Sequence, residues 1–161
     1  MDIVLVYIQG IIEILGSISL ALVFCRVEIK WRRILLAAAV IAAFMLVLRN
    51  IPIIFGIHLI AGLLMIFMLI IMKTEANKSL VFISVFASFF CLAAIEFSLN
   101  QLFISLDILH IEDATETSNV WMIMGYIQAV LMNVLAVVLQ LILKPRNSWK
   151  IKPYKRNKHV V

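Results

Sequence analysis

Five long apolar runs, separated by short charged segments, limit what this chain can fold into more than any other feature. They cover residues 3–25, 34–48, 51–72, 80–106 and 120–143. A helix rises about 1.5 Å per residue, so ~20 mostly apolar residues cross a hydrocarbon core of about 30 Å. Inside lipid a peptide group must find its hydrogen bond within its own segment or a closed barrel, which makes runs of this length helical. The expected architecture is all-α: a polytopic bundle of five transmembrane helices over residues 1–143, then a basic tail over 144–161. Composition agrees, because only 14% of the residues are charged and 65% are hydrophobic. A soluble domain carries about 25% charged residues, so this chain has too little polar surface to clothe a water-soluble globule.

The second run is the shortest. It is divided from the third by Arg49-Asn50-Ile51-Pro52. Asn favours turns and proline disfavours helical geometry in the residue before it, so a tight helical hairpin is expected there. A single kinked helix over 34–72 would be too long for one bilayer and would bury Arg49 at depth. The first run lacks a positively charged leader and a small-residue cleavage site, so it reads as a retained helix.

Charge placement predicts orientation. Arg26, Lys30, Arg32 and Arg33 follow the first run, Lys73 and Lys78 the third, and the basic tail the fifth. Five crossings place these segments on one side. The other side receives Arg49, Asp2 and the acidic loop with Asp107, Glu112, Asp113 and Glu116. Lys and Arg are enriched in cytoplasmic loops, so the N-terminus is expected outside and the C-terminus in the cytoplasm of a multi-pass cell-membrane protein. Trp31, Trp121 and Trp149 fall near helix ends, as interfacial aromatic belts do. Cys25 and Cys91 read as small apolar packing residues. Ala37, Ala38, Ala39, Ala42 and Ala43 in the second helix allow close helix approach, within the bundle or in a homo-oligomer.

The chemistry-bearing candidates are polar groups within the spans. Gln9 and Glu13 share a face of the first helix, Glu96 and Asn100 a face of the fourth; His58, Gln128 and Arg49 lie in the third, the fifth and at the outer end of the second. All fall in the predicted outer half. A charge at mid-bilayer costs about 2.5–3.5 kcal/mol on insertion scales, so such groups face the bundle interior or a wet cavity. Two readings stand side by side: a ligand pocket open to the exterior, formed by Gln9, Glu13, Arg49, His58, Glu96, Asn100 and Gln128, or interhelical hydrogen-bond glue. Asn133 and Gln140 lie deeper and suit glue.

No enzyme is expected. The chain has no GxSxG, phosphate loop or HExxH, and no HxxxH or ExxH spacing for a metal. Glu13 and Glu96 are the one carboxylate pair that acid–base chemistry within the membrane would use. No cofactor is expected. In the tail, seven of eighteen residues are Lys or Arg; Lys150, Lys152, Lys155, Arg156 and Lys158 are expected to lie on the anionic inner leaflet or to dock a cytoplasmic partner. Eighteen residues offer no fold for nucleic-acid readout.

The five-helix layout, with Pro52, Phe55, Gly56, Ile57 and His58 at the start of the third helix and Glu96 in the fourth, resembles the N-terminal membrane input region of bacterial GHKL-type sensor histidine kinases. That resemblance implies a bacterial sensing role. The family's phospho-accepting His and ATPase domain have no counterpart in these 161 residues, so kinase activity is not implied. The expected function is a non-catalytic sensor or regulatory module that binds an outer-side signal and relays it to a signalling partner. A small transporter or transporter subunit, and a structural assembly protein, are the alternatives.

Overall fold

The computed structural model describes residues 3–49, 57–106 and 119–150. They form five helices: α1 (Ile3–Phe24), α2 (Trp31–Arg49), α3 (Ile57–Lys73), α4 (Lys78–Ser105) and α5 (Asn119–Ile142). No strand occurs among the described residues; two isolated β-bridges do, Val27 with Asn147 and Thr74 with Trp149. Four of the helices, α1, α2, α4 and α5, are long and apolar enough to cross a membrane. The chain is thus a helical, multi-pass membrane protein by length and composition. The described part of α3 is shorter, 17 residues. The expected hairpin turn at Asn50-Ile51-Pro52 and the acidic loop with Asp107, Glu112, Asp113 and Glu116 lie outside the described residues.

Helix limits differ from the apolar runs by a few residues. The largest difference at a described end is in α2, which begins at Trp31 and takes Arg32 and Arg33 into its first turn. An apolar count stops at the first charge, whereas a helix continues through the headgroup layer, where long basic side chains reach water.

α1 is the hub. Every residue from Gly16 to Val23 is buried, and a helix buried on all sides belongs at the centre of its bundle. It packs against α5 most extensively, then α2 and α4, while α3 packs against α4 and α2. Outward faces of α2, α4 and α5 carry exposed Leu36, Val40, Phe90, Phe97, Leu141 and Ile142. In lipid these are solvated, so packing rather than hydrophobic expulsion must hold the helices together.

Small and hydroxyl side chains provide that packing. At Gly16 an added Cβ would lie 2.9 Å from the Met132 Cβ, so α1 and α5 touch almost backbone to backbone. Ala38 and Ala42 are buried, and Gly10 lies opposite Ala42 across the α1–α2 contact, while Ala43 is exposed. Ser88 Oγ donates to the Ser17 carbonyl at 2.8 Å, and Cys25 and Ser84 share a side-chain hydrogen bond. Both cysteines are free thiols, Cys25 buried and Cys91 half-buried.

The C-terminal ends of α1, α3 and α5 meet at one end of the bundle. Arg146 and Asn147 donate their backbone N–H groups to the Arg26 carbonyl at 2.7 and 2.9 Å, Lys150 N–H donates to Lys73 O at 2.9 Å, and Glu75 N–H to Ser148 O at 3.0 Å. Residues 144–150 thus form a strap between the α1–α2 and α3–α4 loops. Trp149 lies inside it, 8% exposed, donating its indole N–H to the Glu28 carbonyl at 2.8 Å, with the Arg33 guanidinium 5.8 Å above its ring. This corrects the belt assignment for Trp149: a Trp next to basic residues suits an interface, yet here its N–H finds a carbonyl in a neighbouring loop and its ring fills the space beneath. Trp31 is exposed, and the Trp121 side chain lies outside the described residues.

α1 ends in a Schellman cap. Arg26 N–H donates to Val23 O and Val27 N–H to Leu22 O, each at 2.9 Å. The residue between cap and loop must then be left-handed, a place glycine usually fills. Arg26 occupies it at φ 54°, at a steric cost of about 1–2 kcal/mol for an L-residue.

Candidate functional site

The polar groups that come together lie on the α1–α5 seam. The two helices run parallel: Tyr126 of α5 reaches Leu5 of α1, and Asn133 reaches Ile12. Tyr126 OH donates to the Leu5 carbonyl at 2.9 Å. Asn133 Nδ2 donates to the Ile12 carbonyl at 2.9 Å and to Ala129 O in its own helix at 2.8 Å. The Gln9 side chain packs directly on Gly125, where any Cβ would collide with it. Gln128, one turn further along α5, is buried. Tyr7 OH extends the polar contacts to α2, donating to Ala39 O at 3.0 Å.

Two buried polar atoms on α1 and α5, Ser19 Oγ and Asn133 Oδ1, have no hydrogen-bond partner among the described residues. Asn133 thus connects the helices through its amide N–H alone. Glu13 is half-buried on α1 and does have an interaction partner.

The other expected pocket residues are placed as follows. Asn100 is half-buried and Glu96 is exposed; neither side chain makes a hydrogen bond or ion pair among the described residues. Arg49 ends α2 and His58 lies in the first turn of α3, but their side chains lie outside the described residues. A depression of about 270 Å³ between α4 and α5 is lined by Ala94, Ile95, Ser98, Leu99, Leu102 and Leu131, none of the seven expected pocket residues. Among the described residues no group of three His, Cys, Asp or Glu side chains could hold a metal ion.

Residues that sequence reasoning passed over are Tyr7, Tyr126 and Gly125. Tyrosines near a helix end read as interfacial, and a lone glycine has no periodic signal. The pairing of Gly125 with Gln9 becomes visible only when the register of α5 on α1 is known.

At the opposite end, Lys150 is tied down: its Nζ donates to the Ile71 carbonyl at 2.8 Å. Ser148 Oγ donates to Glu75 Oε2 at 2.7 Å, and Asn147 Nδ2 to Cys25 O at 2.7 Å. Lys152, Lys155, Arg156 and Lys158 lie outside the described residues. Of the ten Lys and Arg among the described residues, nine, at 26, 30, 32, 33, 73, 78, 144, 146 and 150, sit at this end or in the helical turns bordering it, and Arg49 ends α2 at the other. No protein-family model, curated protein or solved structure matches the chain.

Proposed function

We propose that this protein is a non-catalytic membrane sensor or regulatory module, with five spans, the N-terminus outside and the basic end in the cytoplasm. One observation carries the reading: the helix pair that holds the polar seam also holds the strap. The outer parts of α1 and α5 meet through Gln9, Gly125, Tyr126 and Asn133. Their inner ends meet through Arg26, Arg146 and Asn147. A ligand that shifts α5 on α1 at the outer seam therefore shifts residues 144–150, and with them the basic tail. Such a shift needs differential binding to two packings.

The orientation rests on the gathering of basic residues at one end. Likeness to the input region of sensor kinases is consistent with this role, and the partner would then be a separate signalling protein. A transport path through one copy would have to cross the buried layer Ile18, Leu20, Leu22 and Val23, which carries no ionisable side chain.

The test is mild cross-linking in the native membrane followed by affinity isolation. The expected result is a signalling protein that co-purifies with the full chain and is lost on truncation after Lys150, which leaves the strap intact. Recovery of the protein alone, together with solute uptake dependent on it, would overturn the reading in favour of a transporter.

A further inference from the structure

Beside the strap lies an open depression of about 620 Å³, lined by Arg26, Asn77, Leu80, Arg146 and Asn147. We propose that it is a binding site for the phosphate group of an anionic phospholipid in the adjoining leaflet. The proposal requires only that the helices lie in a membrane, and stands whether or not the protein is a sensor.

Three observations converge. First, the two arginines are held together by the backbone, because the Arg146 N–H donates to the Arg26 carbonyl at 2.7 Å. Both are exposed, and neither guanidinium has a carboxylate partner among the described residues. Two cations fixed at one opening repel each other, and a phosphate between them relieves this while accepting from both planar forks. Second, Arg26 stands at a left-handed position, φ 54°, that glycine would fill without strain. An arginine at such a position points to a use for its side chain. Third, the depression lies at the end of the bundle where α4 begins, among the basic loops. Leu80 forms its wall in the first turn of membrane-spanning α4, so a phosphate at the arginines leaves the acyl chains beside that helix. The α4–α5 depression that begins at Ala94 is about 21 Å further along, at about 1.5 Å per residue, within reach of an acyl chain. Asn77 is already engaged in capping α4, its side chain accepting from Ser79 N–H at 3.2 Å, which leaves the guanidiniums as the charged contacts.

The experiment counts lipids bound to the intact, delipidated protein in neutral detergent by native mass spectrometry, titrating dioleoyl phosphatidylglycerol against dioleoyl phosphatidylcholine. Phosphatidylglycerol is expected to bind more tightly, and Arg26→Gly with Arg146→Gln to weaken it by about thirtyfold, from the loss of two basic contacts. Arg26→Gly is the informative change, because it keeps the carbonyl that holds the strap and removes the strained residue, so thermal stability should hold or rise while lipid is lost. The charge-matched control, Lys30→Gln with Arg32→Gln, should bind as the unaltered protein does. Equal loss in the control would assign the effect to diffuse surface charge and overturn the site. Equal binding of the two lipids would overturn it as well. Displacement of phosphatidylglycerol by millimolar glycerol phosphate would show a free-phosphate site and overturn the lipid assignment.

Discussion

Gly16 and Gly125 both lie in the contact between α1 and α5, with different neighbours. At Gly16 the neighbours are the Met132 Cβ and the Asn133 Nδ2, 2.9 and 3.0 Å from an added Cβ; a Cβ and a doubly bonded amide cannot easily give way. At Gly125 the obstacle is the end of the Gln9 side chain, which can rotate. Gly16→Val is therefore expected to destabilise the bundle by about 1–3 kcal/mol, as overpacking does. Gly125→Ala should cost less and be partly rescued by Gln9→Ala. A double-mutant cycle in reversible unfolding from mixed micelles reads both, and additive effects at 9 and 125 would refute the contact. Asn133→Leu removes one interhelical hydrogen bond along with an unsatisfied oxygen, so its cost should be small, within about 0.6–1.7 kcal/mol, or even a gain. Unfolding of that variant under the same conditions measures it.

At the scale of elements, the strap is the feature whose loss should be felt most. Trp149 is buried under Arg33 and bonded to Glu28, and a Trp→Ala change at a core site costs about 3–5 kcal/mol. We expect Trp149→Ala to lower stability by about 3 kcal/mol, and truncation after Leu143 to lower it further, while truncation after Lys150 leaves it unchanged. Thermal unfolding of the three variants checks this order. Should all three unfold together with the intact chain, residues 144–150 hold nothing in place. α2, by contrast, presents Leu36, Val40 and Val47 outward, and single polar substitutions there should affect insertion more than packing.

For the whole molecule, alternation of the helices follows from the meeting of the α1, α3 and α5 ends. With the proposed orientation, single cysteines introduced at Asp2 and Glu112 in a background lacking Cys25 and Cys91 should react with a membrane-impermeant maleimide added to intact cells. One at Lys144 should react only after the membrane is opened. The reverse pattern would invert the orientation. At the site, Glu13→Gln and Glu96→Gln are expected to differ. Glu13 is half-buried and engaged, whereas Glu96 is exposed, so only the first should alter partner recovery.

Much of this was legible in the amino-acid sequence. Four of the five expected spans follow from apolar length against bilayer thickness, and the gathering of most basic residues at one end follows from counting crossings. These are one-dimensional quantities: a run is long enough or it is not, and a loop lies on one side or the other. Tertiary structure alone decided which faces meet. Five almost wholly apolar helices carry little periodic signal, since lipid and protein neighbours are equally apolar. The place of α1 at the centre, the pairing of Gln9 with Gly125, the exposure of Glu96 and the burial of Trp149 were therefore not readable. Each depends on close packing and on which carbonyl or N–H a neighbouring segment offers. Those partners are remote in sequence, 121 residues apart for both the Tyr126–Leu5 and the Trp149–Glu28 hydrogen bonds, and only the fold brings them within reach.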